Sequence, residues 1–305
     1  MAKDVGPQVF GGRPLTDRIL AAALAYLAMG FSVIPLMPES KLPAAPWADF
    51  QERLPTVDEL GRWFGKGNNN LGLVMGLVSD NTFALDFDDL GLARFALDLH
   101  RLARETFVQE TPRGVHVLLR TNGEPIKMTS YHGRGLPLDL KAEGGYIVVA
   151  PSVLQGGKAY RMLSADPRVA TIEKESLDAL LARLRTGWPI VQAVLPYYEV
   201  GRRQKIVPHL AAWLRERGFS RDRVIGFVRA LGRVVADPEG EDHVREAEDA
   251  FTRPEKEVSE AGLGEDLREA LNEAVLSMNR RLRLPQLTVQ AHFDDDGAAR
   301  PPEGL

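Results

Sequence analysis

Asp86 and Asp88 stand two residues apart in FALDFDD, residues 83 to 89, a stretch that otherwise reads as the middle of a buried strand. Side chains alternate along a strand, so Phe83, Leu85 and Phe87 share one face while Asp86 and Asp88 share the other. Two carboxylates held that close repel unless something neutralises them. Hard oxygen donors of this kind suit Mg2+ or Mn2+. The plainer alternative is a strand that ends at Leu85, followed by an acidic turn and a helix that starts at Asp89. The stretch alone fits both.

Two later stretches bear on the choice. In LDLK, Leu138 and Leu140 face one way and Asp139 the other, which places a third acid on a strand that reads as buried. In TPRGVHVLLR, His116 sits on a strand just after Arg113 and Gly114. Taken singly, a strand Asp more often caps a turn or pairs with a base than holds a metal, and a strand His more often packs. The argument rests on their order: acid-x-acid on a strand, then Arg and His on a strand, then an acid on a strand. No competing motif is present, since the chain has no GxxxxGK[ST] phosphate loop, GxGxxG, HExxH or GxSxG.

These residues need elements to hold them. LTDRILAAALAYLAMG predicts a helix with Thr16 as N-cap and Gly30 as its stop. FSVIPL follows as a strand, then a Pro-rich loop carrying Lys41. TVDELGRWF opens with Thr56 and Glu59 in capping-box spacing and predicts a second helix. NLGLVMGL and NTFALDFD predict strands, and DLGLARFALDLHRLARET predicts one helix with Leu92, Phe95, Ala96, Leu99 and Leu102 on its apolar face. FVQE and VHVLLR are strands joined by the turn TPRG; PLDLK and YIVVAP are strands around a turn at Gly144. From Ile172 onward EKESLDALLARLR, IVPHLAAWLRERG, SRDRVIGFVRALGRVV and GEDLREALNEAVLSMNRRL all have helical period. The Met and Leu stripes there read as core.

Composition bounds the answer. The 305 residues are 44% hydrophobic and 26% charged, a globular composition with room for two domains. With no Cys, disulfides, iron–sulfur clusters and cysteine zinc sites are excluded. The start, MAKDVGPQVFGG, lacks an apolar signal core, and no run approaches a membrane span, so a cytoplasmic protein with no membrane contact is expected. The net charge of −4 is unevenly spread: residues 201–235 hold nine basic side chains against two acidic, and residues 236–274 hold fourteen acidic against four basic. A local basic face can bind a polyanion even on an acidic protein; a solvated helix face is the plainer reading.

The ordered set resembles the bifunctional primase–polymerase (prim-pol) branch of the archaeo-eukaryotic primase superfamily. AALAYLAMGFSVIPL followed by Lys41 is similar to that family's N-terminal helix, strand and lysine loop. LGLVMG is similar to the strand before its first acidic motif, FALDFDD to that motif, TPRGVHVLL to the His-containing motif, and LDLKAEGGYIVVAPS to the third. Order and spacing hold over roughly Leu20 to Leu163. The chain departs from the pattern at Gly114, where a small hydroxyl residue is frequent, and at Lys141, where Arg is frequent.

The resemblance implies an α+β fold, with an RRM-like antiparallel sheet as catalytic core of the archaeo-eukaryotic primase type and an all-helical accessory domain after it. It divides the chain into a catalytic domain at 14–165, a linker with one helix at 166–200, a helical accessory (primase C-terminal-like) domain at 201–284 and a disordered tail at 285–305. It implies a DNA primase/polymerase with two divalent ions, Mg2+ or Mn2+, held by Asp86, Asp88 and Asp139 as the catalytic acids. Arg113 and His116 are then expected to hold the incoming triphosphate, and Lys41 and Lys141 to contact nucleotide or template phosphates. GRRQKIVPHLAAWLRERG is similar to the opening of the helical domain, which assigns Arg202, Arg203 and Lys205 to nucleic acid. The expected partners are single-stranded DNA template and primer, dNTP or NTP, and a replicative helicase on a separate chain. The rivals are an extension-only repair polymerase, a catalytically silent nucleic-acid-binding replication or defence factor, and a metal-dependent nuclease on the same acids.

Overall fold

The computed structural model describes residues 15–253 and 258–282; the expected tail at 285–305 lies outside them. The fold is α+β, and the chain divides into two compact units. One comprises the residues up to 93, 99–131 and 137–173, and the other comprises 94–98, 132–136 and the chain from 174 onward.

The first unit begins with helix α1 (Leu15–Ala28), so Thr16 lies inside the helix rather than at its cap. Gly30 stops it in the left-handed conformation at φ 89°. Its N–H donates to the Leu27 carbonyl and that of Phe31 to the Tyr26 carbonyl, the paired bonds of a Schellman motif. The Tyr26 and Phe31 rings meet edge-on across it. Strand β1 (Ser32–Leu36) follows, then helix α2 (Val57–Phe64), opened by a complete capping box between Thr56 and Glu59. Strands β2 (Asn70–Val74) and β3 (Thr82–Phe87) lead to helices α3 (Leu90–Ala96) and α4 (Leu99–Glu105).

The single helix expected across residues 89–106 is therefore two. The carbonyls of Arg94, Phe95 and Ala96, which would continue a helical ladder, accept instead from Arg233 Nε (3.0 Å), Arg233 Nη2 (3.3 Å) and Arg183 Nη2 (2.9 Å). Side chains that satisfy terminal carbonyls make a helix end tolerable.

The remaining strands are β4 (Val108–Glu110), β5 (Val115–Arg120), β6 (Thr129–Ser130), β7 (Leu138–Lys141), β8 (Tyr146–Val149), β9 (Val153–Leu154), β10 (Lys158–Ala159), β11 (Arg161–Met162) and β12 (Ala170–Thr171). Strands β1, β2 and β8 form one antiparallel sheet. A larger sheet has the order β11-β4-β5-β3-β7-β6, antiparallel throughout except that β12 joins β5 in parallel. Between α1, α2 and these strands lies a core that includes Tyr26, Phe31, Phe64, Leu73, Phe107 and Leu118. Each such side chain is worth roughly 1.5–3 kcal/mol when fully buried.

The second unit is helical: α5 (Lys174–Val194), α6 (Arg203–Glu216), α7 (Arg221–Val234), α8 (Gly240–Thr252) and α9 (Glu265–Leu282). Phe95 stacks against Trp188 and Phe227, and a Cβ at Gly187 would stand 2.7 Å from its ring, which is why α5 carries a glycine there. Helix α8 was not expected. Its apolar positions, Val244, Ala247 and Ala250, recur every three residues and are buried, but they are small and sit among acids.

Candidate active site

The apolar face of β3 is as expected, with Phe83, Leu85 and Phe87 fully buried. The strand runs to Phe87, so Asp86 lies on it and Asp88 stands just past its end. Asp89 then caps α3, its Oδ1 accepting from the Leu92 amide at 2.7 Å. The strand thus runs past Leu85, and an acidic turn still leads into a helix capped by Asp89.

What periodicity alone could not supply is the register. Asp86 is directly opposite His116 on β5 and Asp139 on β7. His116 is in turn opposite Gln109 on β4, and Asp139 opposite Ser130 on β6. Directly opposed residues project to the same face, so one row crosses the sheet as Gln109, His116, Asp86, Asp139, Ser130. Two residues along the strands the next row reads Leu118, Ala84, Lys141. Leu118 and Ala84 belong to the apolar core. The same face turns from core to polar site within one step of the pleat.

Every acid has a base at hand. His116 Nε2 lies 3.0 Å from Asp86 Oδ1. Lys141, two residues from Asp139 and so on its face, donates from Nζ to Asp139 Oδ2 at 2.7 Å. Arg113 Nη1 is 3.8 Å from Asp88 Oδ1. Burial would raise the Asp86 carboxyl, but His116, then Lys141 and Lys41, outweigh it and hold the group below the usual carboxylate range.

The turn that delivers Arg113 is tightly built. Thr111 Oγ1 accepts from the amides of Arg113 (3.3 Å) and Gly114 (3.0 Å), and the Thr111 amide donates to the Gly114 carbonyl at 2.9 Å. A Cβ on Gly114 would stand 2.1 Å from the Phe87 carbonyl oxygen. The close approach of this turn to the end of β3 explains the glycine at that position. Asp88 is fixed from the other side, its amide donating to the Pro137 carbonyl at 2.9 Å.

Lys41 comes from a loop that is fastened at several points. Its carbonyl accepts from Tyr146 Oη at 3.0 Å, and Asn70 Nδ2 donates to the Ser40 and Val153 carbonyls at 3.1 and 2.9 Å. Trp47 packs edge-on against the Tyr146 ring, 5.1 Å between centroids. The Lys41 side chain is exposed, and its charge is felt at Asp86.

In the helical unit the three expected nucleic-acid contacts separate. Arg202 and Lys205 are exposed. Arg203 is turned inward, its Nη1 2.8 Å from Asp237 Oδ1. Three more members of the basic block meet the acidic block that follows it in sequence: Arg217 pairs with Glu260, Arg221 with Glu248 and Arg229 with Glu241. Part of the charge asymmetry along the chain is therefore complementarity within the fold.

Sequence reasoning missed two residues of the site. Gln109 binds His116 Nδ1 at 2.8 Å. It was legible in principle, because a hairpin closed by TPRG between Glu110 and Val115 puts residue 109 opposite 116. Tyr160 is buried with its ring 6.0 Å from that of His116. Its phenol is pushed well up by burial and then by Asp86 and Asp88, with Arg113 opposing. No periodicity marks it.

Among the described residues, no three acidic or imidazole side chains converge tightly enough to hold a metal ion as they stand. The donor chemistry nonetheless fits a divalent cation. Two carboxylates face each other on adjacent strands, where Cβ atoms are about 4.5–5.5 Å apart, and a third stands at the strand end. No helix among the described residues is long and apolar enough to cross a membrane.

A family model for the N-terminal domain of bifunctional DNA primase/polymerase, Prim-Pol, matches residues 23–175. The match takes in the whole row from Gln109 to Asp139. No curated protein matches the chain.

Proposed function

The chain belongs to the bifunctional DNA primase/polymerase family, and from that premise we propose that it is a template-dependent nucleotidyltransferase that both starts and extends primers. The observation that carries this reading is the position of Asp86, directly between His116 and Asp139 on one sheet face. Asp86, Asp88 and Asp139 are the ligands for two divalent ions, Mg2+ or Mn2+. Such ions supply activation of a primer 3′-hydroxyl and neutralisation of the departing pyrophosphate. The protein's own side chains then have the task of positioning. Arg113 offers forked donors to the triphosphate, His116 an N–H, and Lys41 and Lys141 point charges from the two flanks. The larger sheet acts as the RRM-like catalytic core and the helical unit as an accessory domain. Single-stranded DNA template and primer, with dNTP or NTP, are the substrates, and a helicase on another chain the expected partner.

A second reading has a specific observation behind it. Because Arg203, Arg217, Arg221 and Arg229 are held in internal ion pairs, the helical unit offers fewer bases for holding an initiating nucleotide on a template than its sequence suggests. That favours a polymerase that extends but does not start chains. One gel assay decides: single-stranded template, labelled nucleotide and Mn2+, with and without an annealed primer. Product in both lanes supports the first reading, and product only with primer the second. No product in either lane, or shortening of the template, overturns both.

A further inference from the structure

We propose that Gln109 is a positioning residue that fixes His116 as the Nε2–H tautomer, so that the imidazole presents a donor and not a lone pair to the substrate side of the sheet. The orientation of the Gln109 amide is set by two backbone groups of unambiguous character. Its Oε1 accepts from the Ala150 amide at 3.0 Å, and its Nε2 donates to the Val148 carbonyl at 2.8 Å. The reverse orientation would set oxygen against oxygen at Val148 and N–H against N–H at Ala150, inside a fully buried site where unsatisfied groups are costly.

With the amide so fixed, its second N–H faces His116 Nδ1 at 2.8 Å. Nδ1 therefore accepts, and a neutral imidazole that accepts at Nδ1 carries its proton on Nε2. That Nε2 is the atom 3.0 Å from Asp86 Oδ1. The tautomer follows from the hydrogen-bond network, which is how such assignments are made. Its consequence for substrate rests on the function proposed above. Phosphate oxygens are acceptors, so an Nε2–H attracts a triphosphate whereas an Nε2 lone pair repels it.

The test uses the full chain. Nitrogen-15 spectra distinguish a protonated from an unprotonated imidazole nitrogen, and the signals of His116, one of six histidines, are assigned by their loss in His116→Asn. A protonated Nε2 with a bare Nδ1 is expected in the wild type; a proton on Nδ1 overturns the assignment. Gln109→Met, of similar length, removes the donor at Nδ1 and leaves Asp86 alone to hold the ring, so the Nδ1 signal should shift and the KM for dNTP should rise about tenfold, the usual scale for losing one hydrogen bond to a charged group, with a smaller change in kcat. A Gln109→Met protein with an unchanged KM overturns the positioning role. If the wild type incorporates no nucleotide at all, the proposed function falls, while its spectrum still decides the tautomer.

Discussion

In the sheet, Arg113 reaches Asp88 across 3.8 Å with its side chain 74% exposed. In the helical unit, Arg203 reaches Asp237 across 2.8 Å with the two side chains only 11% and 0% exposed. Asp237 has a second partner in His243 Nδ1 at 2.9 Å, and its Oδ1 also accepts from the Glu239 amide at 3.1 Å. Both regions set bases against acids, but the first pair is loose enough to be given up and the second is part of the framework. Exposed pairs are worth little and part easily, whereas breaking a buried pair strands a charge. Charge that can change partners belongs to a site. Charge that cannot belongs to a fold.

The sharpest way to break this contrast is to remove an acid from each region. Asp86→Ala, Asp88→Ala or Asp139→Ala should lower nucleotide incorporation at least roughly 10²–10³-fold, measured by primer extension. The melting of Asp88→Ala should stay within about 1 kcal/mol of wild type, since it loses only an exposed pair. Asp237→Ala should do the reverse, destabilising the chain by about 3–5 kcal/mol in denaturant titrations while primer extension per folded molecule is kept. An Asp88 variant that unfolds, or an Asp237 variant that folds normally, would erase the distinction.

The same buried acid gives the contrast a pH dependence. Burial raises the Asp237 carboxyl, but the Glu239 amide, Arg203 and His243 together bring it below its ordinary value. A depressed folded value means stability that is present above the ordinary carboxylate range and lost as pH falls through the folded value. The loss should therefore set in below about pH 4. Thermal unfolding followed from pH 7 to 2 should show that acid limb, and Asp237→Asn should flatten it.

Smaller effects refine the picture. Arg113→Ala should raise the KM for dNTP about tenfold with a lesser change in kcat, because a forked charge-assisted contact is lost from substrate and little from the fold. Arg202→Glu with Lys205→Glu should weaken template binding and lower its salt slope by about two, if both exposed bases meet phosphates. An unchanged slope in fluorescence titrations would leave the helical unit without a template contact at that corner. Least of all, Glu241→Ala removes an exposed partner of Arg229 and should cost at most about 1 kcal/mol.

Sequence carried the site much further than it carried the helical unit. Alternation placed Phe83, Leu85 and Phe87 on one buried face and Asp86 on the other without any knowledge of neighbours. It could not say that His116 and Asp139 flank Asp86, because register is a relation between strands and depends on the turns that join them. Arg203 read as one more exposed base, since nothing local shows that its partner is Asp237, thirty-four positions on. The break between α3 and α4 was hidden for the same reason: the donors that end α3 come from Arg183 and Arg233. Local pattern reports the face a residue belongs to, and distant pairing decides whether that face is free.

The anchored loop around Lys41 has a thermodynamic consequence. A lysine on a free loop loses backbone as well as side-chain entropy when it grips a ligand, at roughly 1–2 kcal/mol for each backbone residue fixed. Here Tyr146 holds the Lys41 carbonyl, and Asn70 ties Ser40 to Val153. Folding has already met that ordering cost for the backbone, and only the side-chain rotamers are left to freeze when a phosphate arrives.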